Sequence, residues 1–151
     1  FIVSVDGGKK DNAIPRECLS EIIIEADKAE AVKAAVEETV NEIREEFASS
    51  DAAFNVTTEL SDGCSVKAVT KEDSAKAVAL IQSLPNGIMR MSQDIDNLVE
   101  TSLNLGIISL DESGICLRFA LRSSVGVALK NLKNQIACVS KTYRRIPSLG
   151  I

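Results

Sequence analysis

The alternation of hydrophobic and polar positions predicts a pair of strands near each end of the chain. In the first pair, strands over Phe1–Asp6 and Cys18–Ala26 are joined by the polar stretch Gly7–Glu17. In the second pair, the apolar positions of Val99–Ile107 alternate with polar and small ones, and the turn Asp111–Gly114 returns the chain. The return strand is predicted to direct four side chains to the core: Ile115, Leu117, Phe119 and Leu121.

Apolar spacings of three and four predict three helices. The first begins at Asp27, with Asp27 as N-cap and Glu30 three residues later in a pattern close to a capping box. It should lie across a sheet and end near Ser49 and Ser50. The second is capped by Thr70 with Asp73 and stops at Pro85-Asn86-Gly87, and the third follows Ser124. Their apolar stripes are, in order, Val32, Val36, Val40, Ile43 and Phe47; Ala77, Leu80, Ile81 and Leu84; and Val125, Leu129, Leu132, Ile136 and Val139.

Three further segments complete the pattern. Ala52–Leu60 alternates like a half-buried strand, and Cys64–Val69 is predicted to pair back on it around a turn at Ser61-Asp62-Gly63. Lys141–Ile151 is predicted to add an edge strand before Pro147, whereas Ile88–Asp96 has no assignable period.

These elements predict an α+β fold, with an antiparallel sheet and amphipathic helices on one face, in a ferredoxin-like two-layer sandwich. The order strand, reversal, strand, helix occurs over residues 1 to about 50 and again over residues 97 to about 140, with residues 51–96 as the connection. This pattern predicts an internal duplication.

Composition narrows the possible functions. The 151 residues suffice for one domain, and a net charge of −5 with four Phe, one Tyr and no Trp argues against nucleic-acid binding. No apolar run approaches a membrane span, and four cysteines without a CxxC pair are typical of reduced thiols in a cytoplasmic protein. Because the chain opens with Phe1 inside a predicted strand, we expect it to be a fragment of a longer protein.

The chain contains no histidine, the residue on which most zinc sites and most Ser or Cys nucleophiles depend. Nor does it contain a compact calcium-binding loop of the DxDxDG kind. The composition therefore indicates an accessory or binding domain rather than a complete active site.

Two places in the chain offer candidate binding side chains. In Gly7–Glu17, the glycines allow a tight reversal and Pro15 fixes the exit, so Asn12 is either held in one direction or belongs to an ordinary hairpin connection. Arg118 and Arg122 are predicted to share the face of their strand opposite the core, either solvated or as a fork for a carboxylate.

Three segments resemble one family. GGKKDNAIPRE, starting at Gly7, is similar to the GG-x-x-x-N-x-I-P segment in the lid domain of zinc aminopeptidases and dipeptidases of the aminoacylase and carnosinase type. LPNGIMRMSQDIDNLVETSLNLGI (Leu84–Ile107) and ALRSSV (Ala120–Val125) resemble the lid of the Xaa-His dipeptidases within that family.

The resemblance implies that this chain is the lid domain of an enzyme that hydrolyses Xaa-His dipeptides, with two zinc ions in a separate catalytic domain absent here. It assigns substrate positioning to Asn12 and Arg122, with Asn86, Arg90 and Ser123 as further candidates. It also implies no cofactor in this fragment, which is not itself expected to be catalytic. The implied partners are the catalytic domain, a dipeptide and a second copy of the lid.

Two alternatives stay open beside this interpretation. One is a free-standing interaction module whose Arg118 and Arg122 face binds an acidic partner. The other is a structural oligomerisation domain.

Overall fold

The computed structural model describes residues 1–61 and 66–143 and confirms the α+β fold. The chain forms two compact units, one of Phe1–Ile23 with Val66–Ile151 and one of Ile24–Ser65. Within the described residues, the first unit holds a five-stranded antiparallel sheet with two α-helices, and the second holds one α-helix preceded by a short 3₁₀ turn. The elements are β1 (Ile2–Gly7), β2 (Cys18–Ile22), α1 (Ala29–Glu46), α2 (Lys71–Ser83), β3 (Gly87–Met91), β4 (Val99–Asp111), β5 (Gly114–Ser123) and α3 (Gly126–Thr142).

Strand β4 is the centre of the sheet. Along one edge it pairs with β5 from Thr101 to Asp111, which confirms the predicted hairpin. Its other edge is shared, because β3 pairs with residues 99–103 and β1 with residues 108–110. A gap in the pairing is therefore left at residues 104–107, and β2 extends the sheet beyond β1.

A bulge at Gly106 divides β4. Leu105 is opposite Phe119 and Ile107 is opposite Arg118, so Gly106 is the extra residue. The prediction that Ile107 shares the core face with Leu105 is therefore wrong, because the bulge reverses the alternation. Beyond it, Ile108 and Leu110 face the core instead, opposite Leu117 and Ile115.

Helices α2 and α3 cover one face of this sheet, which we call the helix face. The predicted cap of α2 is confirmed, since the Asp73 N–H donates to Thr70 Oγ1 over 3.1 Å. Ala77 of α2 is fully buried in a cluster with Val69 and Leu110. In α3 the predicted apolar stripe is found from Leu129 to Val139, with Leu132 the most buried member at 5% exposure, whereas Val125 is the exposed N-cap residue.

In the second unit, α1 occurs where periodicity predicts it, but its predicted start is wrong. Ala26–Lys28 forms a short 3₁₀ turn, and the N-cap of α1 is Lys28, which makes no side-chain cap hydrogen bond. Asp27 is thus inside the 3₁₀ turn rather than at the helix boundary. Val40 is the buried member of the stripe, whereas Phe47 is exposed and follows the helix end.

Several predicted strands are not formed within the described residues. Residues 52–61 are irregular, because alternation among small and polar residues does not itself supply a pairing partner. Residues 66–69 are not a strand either, although the Val69 N–H donates to the Ile2 carbonyl over 2.8 Å. The turn residues Asp62 and Gly63, the start of the Cys64–Val69 strand and residues 144–151 of the predicted edge strand lie outside the described residues.

The remaining differences concern the ends of elements. Lys141 and Thr142 belong to α3 instead of an edge strand. Strand β2 ends at Ile22 rather than Ala26, and β3 forms where no period could be assigned. Two successions of two strands and a helix exist, β1-β2-α1 and β4-β5-α3, but the internal duplication stays a prediction.

Candidate functional site

The loop between β1 and β2, residues 8–17, is closed at its base. The Gly8 N–H donates to the Glu17 carbonyl over 3.1 Å, and Lys9 Nζ is 2.7 Å from Glu17 Oε1. The carboxylate of Glu17 raises the pKa of Lys9. Gly8 has φ +71°, as the predicted reversal requires, whereas Gly7 continues β1 and is opposite Cys18 and Ile108.

The tip of this loop lies against β4 in the gap between β3 and β1. Asn104 Nδ2 donates to the Ala13 carbonyl over 2.7 Å and to the Asp11 carbonyl over 3.3 Å. These two carbonyls flank Asn12, whose own side chain is exposed and makes no hydrogen bond to another described residue. The loop is thus attached to the sheet on both sides of Asn12.

Two glycines bring the loop backbone close to the bulge. A Cβ added to Gly106 would lie 2.3 Å from the Asp11 carbonyl oxygen and 2.5 Å from that of Lys10. A Cβ on Gly8 would lie 1.9 Å from the Gly106 carbonyl oxygen. Any side chain at either position would therefore displace backbone atoms.

Asn86 occupies the same gap. Its Oδ1 accepts a hydrogen bond from the Leu105 N–H over 2.8 Å, at the edge of β4 where no strand pairs. The amide side chain thus satisfies a backbone donor that the sheet leaves without a partner. Asn86 is adjacent to the loop and has a structural contact of its own.

The face of β4 and β5 opposite the helices carries Arg118 and Arg122, as predicted. We call this surface the arginine face; its residues are Ser102, Asn104, Ile107, Ser109, Cys116, Arg118, Ala120 and Arg122. In the register, Arg122 is opposite Ser102 and Ala120 is opposite Asn104. Both arginines are exposed, and neither makes an ion pair with another described residue.

Along β5, the two arginines lie on either side of the residue opposite Asn104, the loop anchor. Each is two residues from Ala120, the partner of Asn104, and their Cα atoms are about 13 Å apart along an extended strand. The register alone therefore does not favour Arg122 over Arg118 as the predicted anion-binding residue. The similarity of the segment ALRSSV to the family is what singles out Arg122.

Arg90 and Ser123 belong to the helix face instead. Arg90 is opposite Thr101, and its Nε is 3.6 Å from Oε1 of Glu100. Ser123 Oγ is 2.8 Å from Thr101 Oγ1 and accepts a hydrogen bond from the Val125 N–H, so it connects the end of β5 to the start of α3. Both side chains thus have internal partners on the face opposite Arg122.

A groove of about 500 Å³ opens on the helix face beside Arg90, between β3, β4 and the first turns of α3. Thr101 and Leu132 form its floor, and Val127 and Met89 are exposed at its sides. The loop of Asn12 is not part of its lining. This groove is therefore separate from the arginine face.

Of the five predicted site residues, Arg122 lies on the arginine face, where the loop that bears Asn12 is attached. Asn86 lies beside this loop. Arg90 and Ser123 lie on the helix face. Sequence reasoning missed Asn104 and Gly106. Two features of the sequence could have identified them. Asn104 is an amide residue inside an alternating strand, and Gly106 is a glycine in a strand interior, where glycine often marks a bulge or a close backbone approach.

The described residues do not form a candidate metal centre. Among them, no group of three or more Cys, Asp or Glu side chains is placed to hold an ion. Among the same residues, no helix combines the length and hydropathy that crossing a bilayer would need.

Comparisons with known proteins find a similarity to part of two dipeptidases. No family model matches the chain. The chain is 29% identical over 125 residues to the cytosol non-specific dipeptidase of Escherichia coli strain K12, covering 82% of this chain and 25% of that enzyme.

A solved structure extends this result to the fold. The crystal structure of aminoacylhistidine dipeptidase from Vibrio alginolyticus matches 95% of this chain with a TM-score of 0.86 and 24% identity, over 29% of its own length. The predicted resemblance to dipeptidases is thus confirmed, and the chain spans about a quarter of the length of the curated relative it matches.

Proposed function

We propose that this chain is the substrate-positioning lid domain of a cytoplasmic zinc dipeptidase that hydrolyses Xaa-His dipeptides. One observation carries the proposal: Asn104 attaches the loop that bears Asn12 to the face of the sheet that bears Arg122. Relatives named as dipeptidases, one of them a cytosolic enzyme by its name, support the class of reaction.

The proposed roles follow from the chemistry of the two side chains. The guanidinium of Arg122 would bind the C-terminal carboxylate of a dipeptide through two parallel hydrogen bonds. The amide of Asn12 would donate to and accept from the peptide backbone. Zinc ions in the catalytic domain would supply the hydrolytic chemistry, while closure of the lid would fix the dipeptide and exclude water.

The test compares two arginines of the same strand and face. In the full-length enzyme that contains this chain, we expect Arg122→Ala to lower kcat/KM for Xaa-His dipeptides by roughly thirtyfold or more, because a charged hydrogen-bonding partner is lost. Arg118→Ala is the matched control and should change kcat/KM by less than about twofold. Circular dichroism of both variants would verify that the fold is retained.

Other outcomes have definite meanings. An Arg122→Ala enzyme within about twofold of the wild type would contradict the proposed clamp. Equal losses in both variants would favour the second candidate function, in which the whole arginine face binds an acidic molecule or partner. That candidate is favoured by one observation, the exposure of both arginines without an ion pair to a described residue.

A second copy of the chain is the remaining proposed partner. Every residue of β2 is exposed, and within the described residues this strand pairs only with β1. An exposed edge of this kind can accept another strand. Dimerisation through the lid stays a prediction.

A further inference from the structure

We propose that Asn104 is the positioning residue of the Asn12 loop, acting on substrate through Asn12 without touching the substrate itself. This inference rests on the proposed function, since it assumes that Asn12 contacts a dipeptide. It adds a residue of β4 that neither the sequence pattern nor the resemblance to the family identifies.

The geometry of Asn104 suits this role. Its amide nitrogen carries two hydrogens, one for each of the carbonyls of Asp11 and Ala13, at 3.3 and 2.7 Å. Because a carbonyl oxygen only accepts, the nitrogen of Asn104 must be the atom that faces the loop. These two hydrogen bonds, one on each side of Asn12, restrict the backbone of that residue more than a single bond would.

Asn104 is itself held by the sheet. It lies in the longest strand, opposite Ala120, and β5 pairs with β4 on both sides of this position. The next residue, Leu105, donates its N–H to Asn86 on the other edge. A loop that is exposed along residues 9–17 is thereby connected to the most extensively paired part of the fold.

The contact between the loop and β4 does not involve the side chains at the tip of the loop. The approach uses the Gly106 bulge, the Gly8 backbone and the Asn104 amide, while Lys10, Asp11 and Asn12 remain exposed. Bulges that redirect a strand next to a binding site are common. The arrangement fixes the backbone and leaves the side chains of the tip available to a ligand.

Loss of the Asn104 amide should therefore loosen the loop and misplace Asn12. A displacement of about 1 Å in a substrate-positioning group lowers the rate by up to a hundredfold. For Asn104→Ala we expect kcat/KM to fall by roughly tenfold in the wild-type enzyme. In an enzyme that already carries Asn12→Ala, the same substitution should lower kcat/KM little or no further.

The experiment is a double-mutant cycle in the full-length enzyme, with Xaa-His dipeptides as substrate. Asn12→Ala, Asn104→Ala and the double variant are compared with the wild type, and Asn104→Asp is added because it keeps the size of the side chain while removing the N–H donors. Ser109→Ala is the control, since Ser109 is an exposed residue of the same strand. Hydrogen–deuterium exchange over residues 7–17 reports the loop independently of catalysis.

The expected result has three parts. Asn104→Ala and Asn104→Asp each lower kcat/KM, neither lowers it further in the Asn12→Ala background, and the loop amides exchange faster in both variants than in Ser109→Ala. A purely structural role would instead give losses that add to those of Asn12→Ala, and this outcome would overturn the inference.

Failure of the inference can be told from failure of the proposed function. If Asn12→Ala lowers kcat/KM while Asn104→Ala does not, only the positioning role of Asn104 is wrong. If Asn12→Ala leaves kcat/KM unchanged, the proposed role of Asn12 is wrong and the inference is overturned with it.

Discussion

The helix face and the arginine face belong to the same two strands, yet they are maintained by different forces. On the helix face, Leu103 and Leu110 are each 3% exposed beneath the helices. On the arginine face, Arg118 and Arg122 are exposed, and the ordered contact is the polar one from Asn104 to the loop. Hydrophobic burial thus determines one face, while hydrogen bonds and glycine contacts determine the other.

The largest effect is expected on the helix face, from Leu110→Ala. Leu110 packs with Val69 and Ala77, and truncation of a buried leucine leaves a cavity, so we expect the free energy of unfolding to fall by about 3 kcal/mol. Urea denaturation at neutral pH measures this change.

Ser109 provides the control for that variant, because it is the preceding residue of β4 and is exposed. Ser109→Ala should change the free energy of unfolding by less than about 0.5 kcal/mol. Similar losses in both variants would contradict the division of the sheet into a packed face and a polar face.

The helix face was also the part that sequence could predict. Regular spacing identified α2 and α3, and the Thr70 hydroxyl with Asp73 marked the start of α2, because burial and capping leave local patterns. The bulge left no such pattern, so the predicted alternation continued to Ile107. The attachment of the loop depends on Asn104, more than ninety residues later in the chain, and local periodicity carries no information about it.

The segment 52–60 shows the opposite error. Its alternation predicted a strand, but strand formation also requires a partner for the backbone groups, which the pattern of one segment does not contain. In the structure the Asn55 side chain accepts a hydrogen bond from Arg44 of α1 over 3.0 Å, so this segment is connected to its own helix.

An intermediate effect is expected where the loop meets the bulge, from Gly106→Ala. The added Cβ would lie 2.3 Å from the Asp11 carbonyl oxygen, so the loop must move away and the bonds from Asn104 must lengthen. We expect a loss of about 2 kcal/mol in the free energy of unfolding, together with faster hydrogen exchange over residues 7–17.

Gly126→Ala is the matched control for this substitution. Nothing lies within 4 Å of a Cβ added at Gly126, the first residue of α3. The control should leave stability unchanged or raise it by a few tenths of a kcal/mol, since alanine favours helix. A Gly106→Ala variant as stable as the Gly126→Ala variant would show that the loop does not rest on the bulge.

The smallest effect on stability is expected at the turn between β4 and β5, which helps to set the register of the two strands. Asp111 is opposite Gly114 at the end of the β4–β5 hairpin, and a register slip of one residue there would exchange the faces. Hydrogen bonds from the Ser113 hydroxyl and N–H to its carboxylate lower the pKa of Asp111 below the ordinary value of 3.8. The contribution of this carboxylate to stability is therefore present above the unfolded-state pKa and is lost as the pH falls through the lower, folded-state value.

Two variants isolate that contribution. Ser113→Ala removes the hydroxyl donor, so the pKa of Asp111, followed by NMR titration of its side-chain carboxyl carbon, should rise toward the ordinary value. Asp111→Asn keeps an oxygen acceptor for Ser113 but does not titrate, so its stability should decline less than that of the wild type when the pH falls through the folded-state pKa of Asp111. An equal decline in the wild type and Asp111→Asn would mean that the charge of Asp111 does not stabilise the turn, and that the register is maintained by the strand pairs alone.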